Sequence, residues 1–383
     1  MHGDGSVDCS RVTRREMIAK SARGAVVLAF TASCKSAESV QRHSSRNGFK
    51  IGVRDRSLGK TNNIHLRRKD VQKVLPDKPT SLSQTRNRDA GCTAKPASVH
   101  TTLTMYIAAY DTERPACLAG VRRIVQVHEK FEMPATFFIV ARLLEDQQNE
   151  YVALLRDHPL FEIACHSYSH MLLVDTPRFG KAGLRDRLPQ ELVVSKQMLE
   201  DAFGGEVAGF RPPVCAPNGL ATATEALGIL AAAGYRYVSS VAWGPDFSMP
   251  APLARPFTYT AQGFPNLWEI PPCGWHENLL KGNNRTGPLL LCLFPSPVPE
   301  AVPKDYVKTP DEEFAVNNSP FIDRAIKEDM PHVSLIWHPW SLHQFDPGMR
   351  MLELTFSYVR ERSLAVGTFA TMLAQLANGQ SNS

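Results

Sequence analysis

Phe161-Glu-Ile-Ala-Cys165-His166-Ser-Tyr-Ser-His170 is the stretch on which the reading of this chain turns. The run from Phe161 to Cys165 has the length and apolar character of a short buried strand. It delivers two histidines, four residues apart, at its carboxyl end. If one helical turn follows the strand, that spacing puts both imidazoles on one face, able to grip a single divalent ion. The pattern by itself also fits two unrelated surface or core histidines. Its weight therefore comes from the sequence around it.

Outward from this stretch the chain alternates between two periodicities. Residues 101–110 predict a strand and 118–131 a helix, with Val121, Ile124, Val125, Val127 and His128 at helical spacing. The continuous apolar run 135–140 is of buried-strand type. Residues 143–155 predict a helix, 161–165 a strand, 189–203 an amphipathic helix and 207–211 a strand. A helix over 222–233 closed by Gly234, then strands at 235–241, 266–270 and 333–336, carry the pattern on. A helix over 349–362, a strand at 364–369 and a last helix to about 376 complete it. Such alternation predicts a parallel sheet with helical crossovers. Over this length it predicts an α/β fold, a distorted (β/α)7–8 barrel.

In a barrel the chemistry sits at the carboxyl ends of the strands. Five strands end in groups that can do chemistry: Tyr110-Asp111-Thr112-Glu113, Cys165-His166 to His170, Gly209-Phe210-Arg211-Pro212-Pro213, Trp243-Gly-Pro-Asp246, and Trp337-His338-Pro339-Trp340. On an extended strand, residues two apart point the same way, so Asp111 and Glu113 form an Asp-x-Glu pair facing one rim. Glu113 also reads as an exposed charge beside Arg114 at a loop entrance, and His338 as a hydrogen-bonded core histidine.

With these motifs in place, the chain resembles the polysaccharide deacetylase family, also described as the NodB-homology group or carbohydrate esterase family 4. The resemblance runs over residues 101–376 and rests on Ala135-Thr-Phe-Phe138, on Glu162-Ile-Ala-Cys-His166-Ser-Tyr-Ser-His170 and on Phe210-Arg211-Pro-Pro213. It implies that His166, His170 and one carboxylate bind a divalent metal, zinc being the preferred ion. A second carboxylate would be the general base, oriented by Arg211, with His338 as the general acid. Where the family usually has two adjacent aspartates, this chain has Asp111-Thr112-Glu113. The preferred assignment is Asp111 as base and Glu113 as ligand, with the reverse still open. Pro213, Trp243 and Trp340 are the candidates for substrate contact, because sugars stack on aromatic rings, although Trp268, Trp275 and Trp337 share that half of the chain and some of the five are core. Asp246 is a candidate for orienting His338, or a turn residue after Gly-Pro.

The 383-residue chain is 43% hydrophobic, enough for a large core. Its charge is uneven: residues 1–100 hold 20 Lys/Arg and 8 Asp/Glu, net +12, and the remainder holds 23 against 30, net −7. Residues 36–100 read as a basic, poorly ordered extension. They lack aromatic interleaving and any nucleic-acid module, so no nucleic-acid partner is expected. Residues 1–35 resemble a twin-arginine export signal, with Arg14-Arg15 ahead of the apolar stretch 24–30, which is too short to span a bilayer. Thr31-Ala-Ser-Cys34 resembles a lipoprotein box without its usual Leu, offering a membrane tether at Cys34. The barrel domain is placed at 101–378. The eight cysteines include no CxxC pair and read mostly as small buried hydrophobes.

The function expected is a metal-dependent hydrolase, exported to the periplasm or cell envelope, that removes acetyl groups, N-acetyl first, from a polysaccharide. No protein partner is expected. Two other readings share the fold: a metal-independent hydrolase of cyclic amides or ureides, and a non-catalytic glycan-binding protein.

Overall fold

All eight residues of the strand Met105–Thr112 are buried, which calls for cover on both faces of the sheet. The computed structural model describes residues 49–54, 61–66, 104–177, 179–244, 253–275 and 309–380. The chain divides into two compact units, Met1–Leu75 and Pro76–Ser383. In the first unit β1 (Phe49–Arg54) pairs antiparallel with β2 (Thr61–Leu66), Phe49 opposite Leu66. Residues 49–53 alternate in a strand-like way, whereas the partner strand, with Asn62 and Asn63 inside it, carries no apolar alternation. The segment read as an export signal, Cys34 and Asp246 lie outside the described residues.

The second unit is built on β3 (Met105–Thr112), β4 (Ala135–Ile139), β5 (Phe161–Cys165), β6 (Gly209–Phe210), β7 (Tyr237–Val238), β8 (Phe257–Tyr259), β9 (Phe264–Glu269), β10 (Gly274–Trp275), β11 (His332–Trp337) and β12 (Ala365–Gly367). They form a ten-stranded sheet in the order β10-β11-β3-β4-β5-β6-β7-β9-β8, with β12 paired to β3. Every pairing is parallel except β8 with β9. β12 meets Met105–Ile107 while β4 meets Ala108–Thr112, so the two share β3 end to end. The alternation of strands and helices is as expected. Closure of a (β/α)7–8 ring is not: among the described residues β10 and β8 end the ladder without pairing. β6 and β7 are also shorter than their apolar runs, with two residues each.

The period of two sorts the core. On β3, Met105, Ile107 and Ala109 face a small cluster with Phe138, Ala164, Tyr237 and Ile270, and Tyr106, Ala108 and Tyr110 face the large core. Helices α1 (Cys117–Phe131), α2 (Leu144–Leu155), α3 (Ser195–Phe203), α4 (Thr224–Ala232), α5 (Ser319–Lys327), α6 (Pro339–Phe345) and α7 (Arg350–Glu361) supply residues to the large core. α1 buries Val121, Ile124, Val125 and His128 on one stripe. Gly120 lets it approach α6: a Cβ there would lie 2.2 Å from the Pro339 carbonyl oxygen. The expected helix over 189–203 has two parts, a π-helical turn at Gln190–Val194 leading into α3.

The last helix, α8 (Phe369–Gln380), brings Phe369, Met372 and Leu373 to the small cluster. Its start is pinned by polar groups. Ala370 N–H and the Thr136 hydroxyl donate to Glu162 Oε2 at 2.9 and 2.7 Å, and the Tyr237 hydroxyl donates to Oε1 at 2.8 Å. Phe369 N–H donates to Thr136 Oγ1 at 3.1 Å. Glu162 thus ties β4, β5, β7 and α8 together beneath the sheet's carboxyl ends. Burial raises its carboxyl above the ordinary 4.5, against the lowering by these donors.

A carboxyl with a raised folded-state value keeps its proton where the unfolded chain has lost it. Its stabilisation is therefore full below about pH 4.5 and is lost as pH climbs through the raised value. Glu162→Ala, which strands buried donors, is expected to cost about 1–3 kcal/mol in urea unfolding. Glu162→Gln should cost less and flatten the decline of stability with rising pH. An unaltered slope in Glu162→Gln would show that this carboxyl does not carry it.

Candidate metal centre

Parity on β3 sends Asp111 to the same face as Ala109, and Glu113 follows one residue past the strand end. The ladder bonding continues beyond the assigned strands and holds the rim in register. Val140 N–H donates to Thr112 O, His166 N–H to Ile139 O and Arg211 N–H to Cys165 O, each at 2.9 Å. Gly209 is required next to Arg211, since a Cβ there would lie 1.9 Å from the Tyr237 ring. His338 caps the start of α6, where Pro339 occupies the first helical position.

The loop after β5 corrects one expectation. No helical turn follows Cys165. Instead Ser167 (φ 67°) and His170 (φ 63°) adopt the left-handed region, and the two imidazoles meet with ring centroids 5.1 Å apart. The convergence that HxxxH spacing suggested is present, produced by two reversed backbone residues and not by a helix.

Two linked groups result. In the first, one ligand atom each from Glu113, His166 and His170 lies within 4.8 Å of the others, with His170 Nε2 2.9 Å from Glu113 Oε2. In the second, the fully buried Arg211 places Nη1 2.6 Å from Asp111 Oδ1 and donates through Nη2 to the Ser239 hydroxyl at 3.0 Å. His338 Nε2 joins the groups, 3.6 Å from Glu113 Oε2 and 4.0 Å from Asp111 Oδ2.

The donor set suits a divalent ion. His166 Nδ1 lies 2.7 Å from the Arg211 carbonyl oxygen. A carbonyl only accepts, so Nδ1 carries the proton and Nε2 keeps its lone pair. Burial pushes the His166 imidazolium down to about 4, despite the nearby carboxylates of Asp111 and Glu113. It is thus the neutral donor that a metal needs. Burial acts to raise Glu113, but His338, His170 and Arg114 together hold its carboxyl well below the usual range. Burial likewise acts to raise Asp111, and Arg211, then His166 and His338, outweigh it. Two imidazole nitrogens and one carboxylate oxygen match a zinc-like site that retains an open position.

The remaining sequence-predicted residues divide. Pro213 is buried beside Arg211. Trp243 is only 1% exposed, and its indole N–H donates to the Val214 carbonyl, so its ring is wall and not an open sugar platform. Trp340 reaches the site, where its indole N–H donates to Glu113 Oε1 at 3.0 Å while the Arg114 guanidinium covers its ring at 4.0 Å. Arg114, met in the sequence only as the charge beside Glu113, donates to Glu113 Oε1 at 2.8 Å. Two contributors carried no sequence signal: Ser239 holds Arg211, and Glu191, from the π-helical turn, accepts from the loop 167–170.

Residues 110–238 match the family model for polysaccharide deacetylase. Among curated protein sequences there is no match. Among solved structures, a candidate polysaccharide deacetylase from Mycobacterium smegmatis aligns with a TM-score of 0.52 at 18% identity, over 75% of this chain and 95% of its own. A second candidate deacetylase, from Pseudomonas aeruginosa PAO1, gives 0.47 at 13% identity, over 71% of this chain and 89% of its own. The first likeness speaks for the fold alone. The matched region begins just before Asp111 and takes in Glu113, His166, His170 and Arg211, while His338 falls after it. Over residues 110–238, about a third of the chain, the sequence thus has the pattern of the polysaccharide deacetylase family, on a fold like that of the mycobacterial protein.

Proposed function

We propose that the protein is a metal-dependent hydrolase that removes acetyl groups, N-acetyl first, from a cell-envelope or extracellular polysaccharide. The observation that carries this reading is the convergence of Glu113, His166 and His170 beside an independent carboxylate–arginine pair and a third histidine.

Glu113, His166 and His170 are the residues that would hold the ion, with zinc the preferred occupant. A divalent ion so placed acidifies water and polarises an acyl oxygen. Asp111 is the proposed base. Its Oδ1 is committed to Arg211, which leaves Oδ2 to take the proton of the attacking water. Arg211 cannot give up its own proton, so it keeps Asp111 ionised and fixed. His338 Nε2, on the other side of the same carboxylate, is placed to protonate the departing amine nitrogen, which leaves poorly as an anion. Asp111 and Glu113 make unlike contacts: one is locked to a guanidinium and the other faces two histidines. That asymmetry supports Asp111 as base and Glu113 as ligand. Export is proposed on the sequence of residues 1–35, with Cys34 as a lipid-bearing tether; no described helix is long and apolar enough to cross a membrane.

An acetate-release assay on N-acetylglucosamine polymers, peptidoglycan and acetylxylan should show turnover on at least one, abolished by chelator and restored by zinc. No release from any of them would count against the reading. Chelator-resistant release would redirect it to the metal-independent chemistry. Asp111→Asn is expected to lower kcat about 10²–10⁴-fold with bound zinc unchanged. His170→Ala should lose the metal itself, as elemental analysis of the purified protein would record. Equal zinc content in His170→Ala and wild type would remove this histidine from the ligand set.

A further inference from the structure

The loop that presents His170 is backbone under strain. Two non-glycine residues, Ser167 and His170, sit in the left-handed region three positions apart, and such conformations persist only where surrounding contacts over-determine them. The contacts can be followed one group at a time. The Ser167 and Tyr168 carbonyls accept from Ala141 N–H and Arg142 N–H, both at 3.0 Å. Ser167 Oγ accepts from His170 N–H at 3.0 Å. The amides of Tyr168 and Ser169 both donate to one atom, Glu191 Oε2, at 3.2 and 2.8 Å. The other oxygen, Oε1, accepts from the Ser169 hydroxyl at 2.6 Å and from Arg187 at 3.1 Å. Glu191 is fully buried, and it reaches the loop from the π-helical turn Gln190–Val194, which interrupts the regular register ahead of α3. Such turns recur where a side chain must be re-aimed at a functional site.

We propose that Glu191 is a positioning residue for the metal centre: it holds loop 167–170 in its reversed conformation and so sets the affinity of the site through His170. The inference rests on the metal reading above. The role is separable from general stability, because Lys196 anchors the same helical segment elsewhere. Its ammonium donates to the Val207 carbonyl and to Glu200, both at 2.6 Å, and makes no contact with the loop. Glutamine at 191 keeps one carbonyl oxygen for the two amides and can donate to the Ser169 hydroxyl, losing only the acceptor for Arg187. Alanine loses all four bonds.

The test titrates Zn²⁺ into the metal-free full chain by calorimetry, with amide hydrogen exchange followed at Tyr168 and Ser169 in the metal-free state. Glu191→Ala should weaken Zn²⁺ binding about 10–100-fold, the range for residues that orient a ligand, and speed exchange at both amides. Glu191→Gln should stay closer to wild type on both measures. Lys196→Met should lower the melting temperature with Zn²⁺ affinity unchanged. The proposal is overturned if Glu191→Ala binds Zn²⁺ as wild type does, or if Lys196→Met weakens binding equally. Wild type that takes up no Zn²⁺ would overturn the metal reading, and this inference with it.

Discussion

Arg211 carries a permanent charge on a side chain with no solvent exposure, and the rest of the site follows from how that charge is accommodated. A guanidinium cannot escape burial by losing its proton, so its partners must already be in place. Asp111 supplies the counter-charge at 2.6 Å and Ser239 a hydroxyl at 3.0 Å. The ring of Phe138 lies 3.9 Å away and that of Phe369 5.3 Å, both offering a π-face. These partners come from β3, from the residue after β7, from β4 and from the last helix. The ion pair therefore requires four distant segments to meet. It also divides Asp111 in two, one oxygen neutralised and fixed, the other turned towards His338. Docking of α8 through Glu162 and the seating of Arg211 belong to one construction, because Phe369 takes part in both.

Height along the strands decides polarity. Towards the amino ends the inward-facing residues are Met105, Ile107, Ala109 and Ala164, an apolar fill in which Glu162 is satisfied by neutral donors. At the carboxyl ends the same parity gives Asp111, in the last pleat of β3, and His166 and Arg211, each one residue past its strand. Charges that stand on a dry floor interact more strongly than they would in water. Among the histidines the arrangement is unequal. His166 is buried, continues the β5 ladder and has its tautomer fixed by the Arg211 carbonyl. The His170 side chain is 31% exposed and owes its place to a strained loop. One proposed ligand is thus as rigid as the sheet, and the other is only as rigid as the contacts on residues 167–169.

Much of this was legible in the sequence, and for stateable reasons. β3 could be read because eight buried residues in a row leave only parity to decide direction, and parity placed Asp111 and Glu113 on one rim. Phe161–Cys165 was found to the residue because its apolar run stops at a titratable group. The convergence of His166 and His170 was foreseen on a helical turn that does not form: spacing fixes how far apart two side chains can lie, but not the backbone that joins them. Trp243 was expected at the substrate and is wall, since an aromatic residue reads the same on either side of a surface. Glu191 and Ser239 were invisible because each acts through a contact set by packing, with no period or motif. β6 and β7 were overestimated because apolar runs continue after ladder pairing stops, and β12 adds to β3 at a position that local pattern cannot reveal.

The altered acidic motif finds its explanation in what holds Glu113. β3 ends at Thr112, so Glu113 lacks the ladder bonds that fix Asp111 and carries one more methylene than an aspartate. Its Oε1 accepts from both Trp340 and Arg114, which leaves Oε2 to face His170 at 2.9 Å and His338 at 3.6 Å. Trp340 stands two residues after His338, and Pro339 between them sets the start of α6. Against that proline packs Gly120 of α1, the helix that begins four residues after Glu113. The chain thereby closes a loop on itself: from Glu113 through α1 to Pro339, and from Pro339 through Trp340 back to the Glu113 carboxylate. A glutamate with no strand to fix it is held by a helix pair instead. The same helix pair places His338 against Asp111, so the geometry of the proposed acid and that of the proposed ligand are set by one contact.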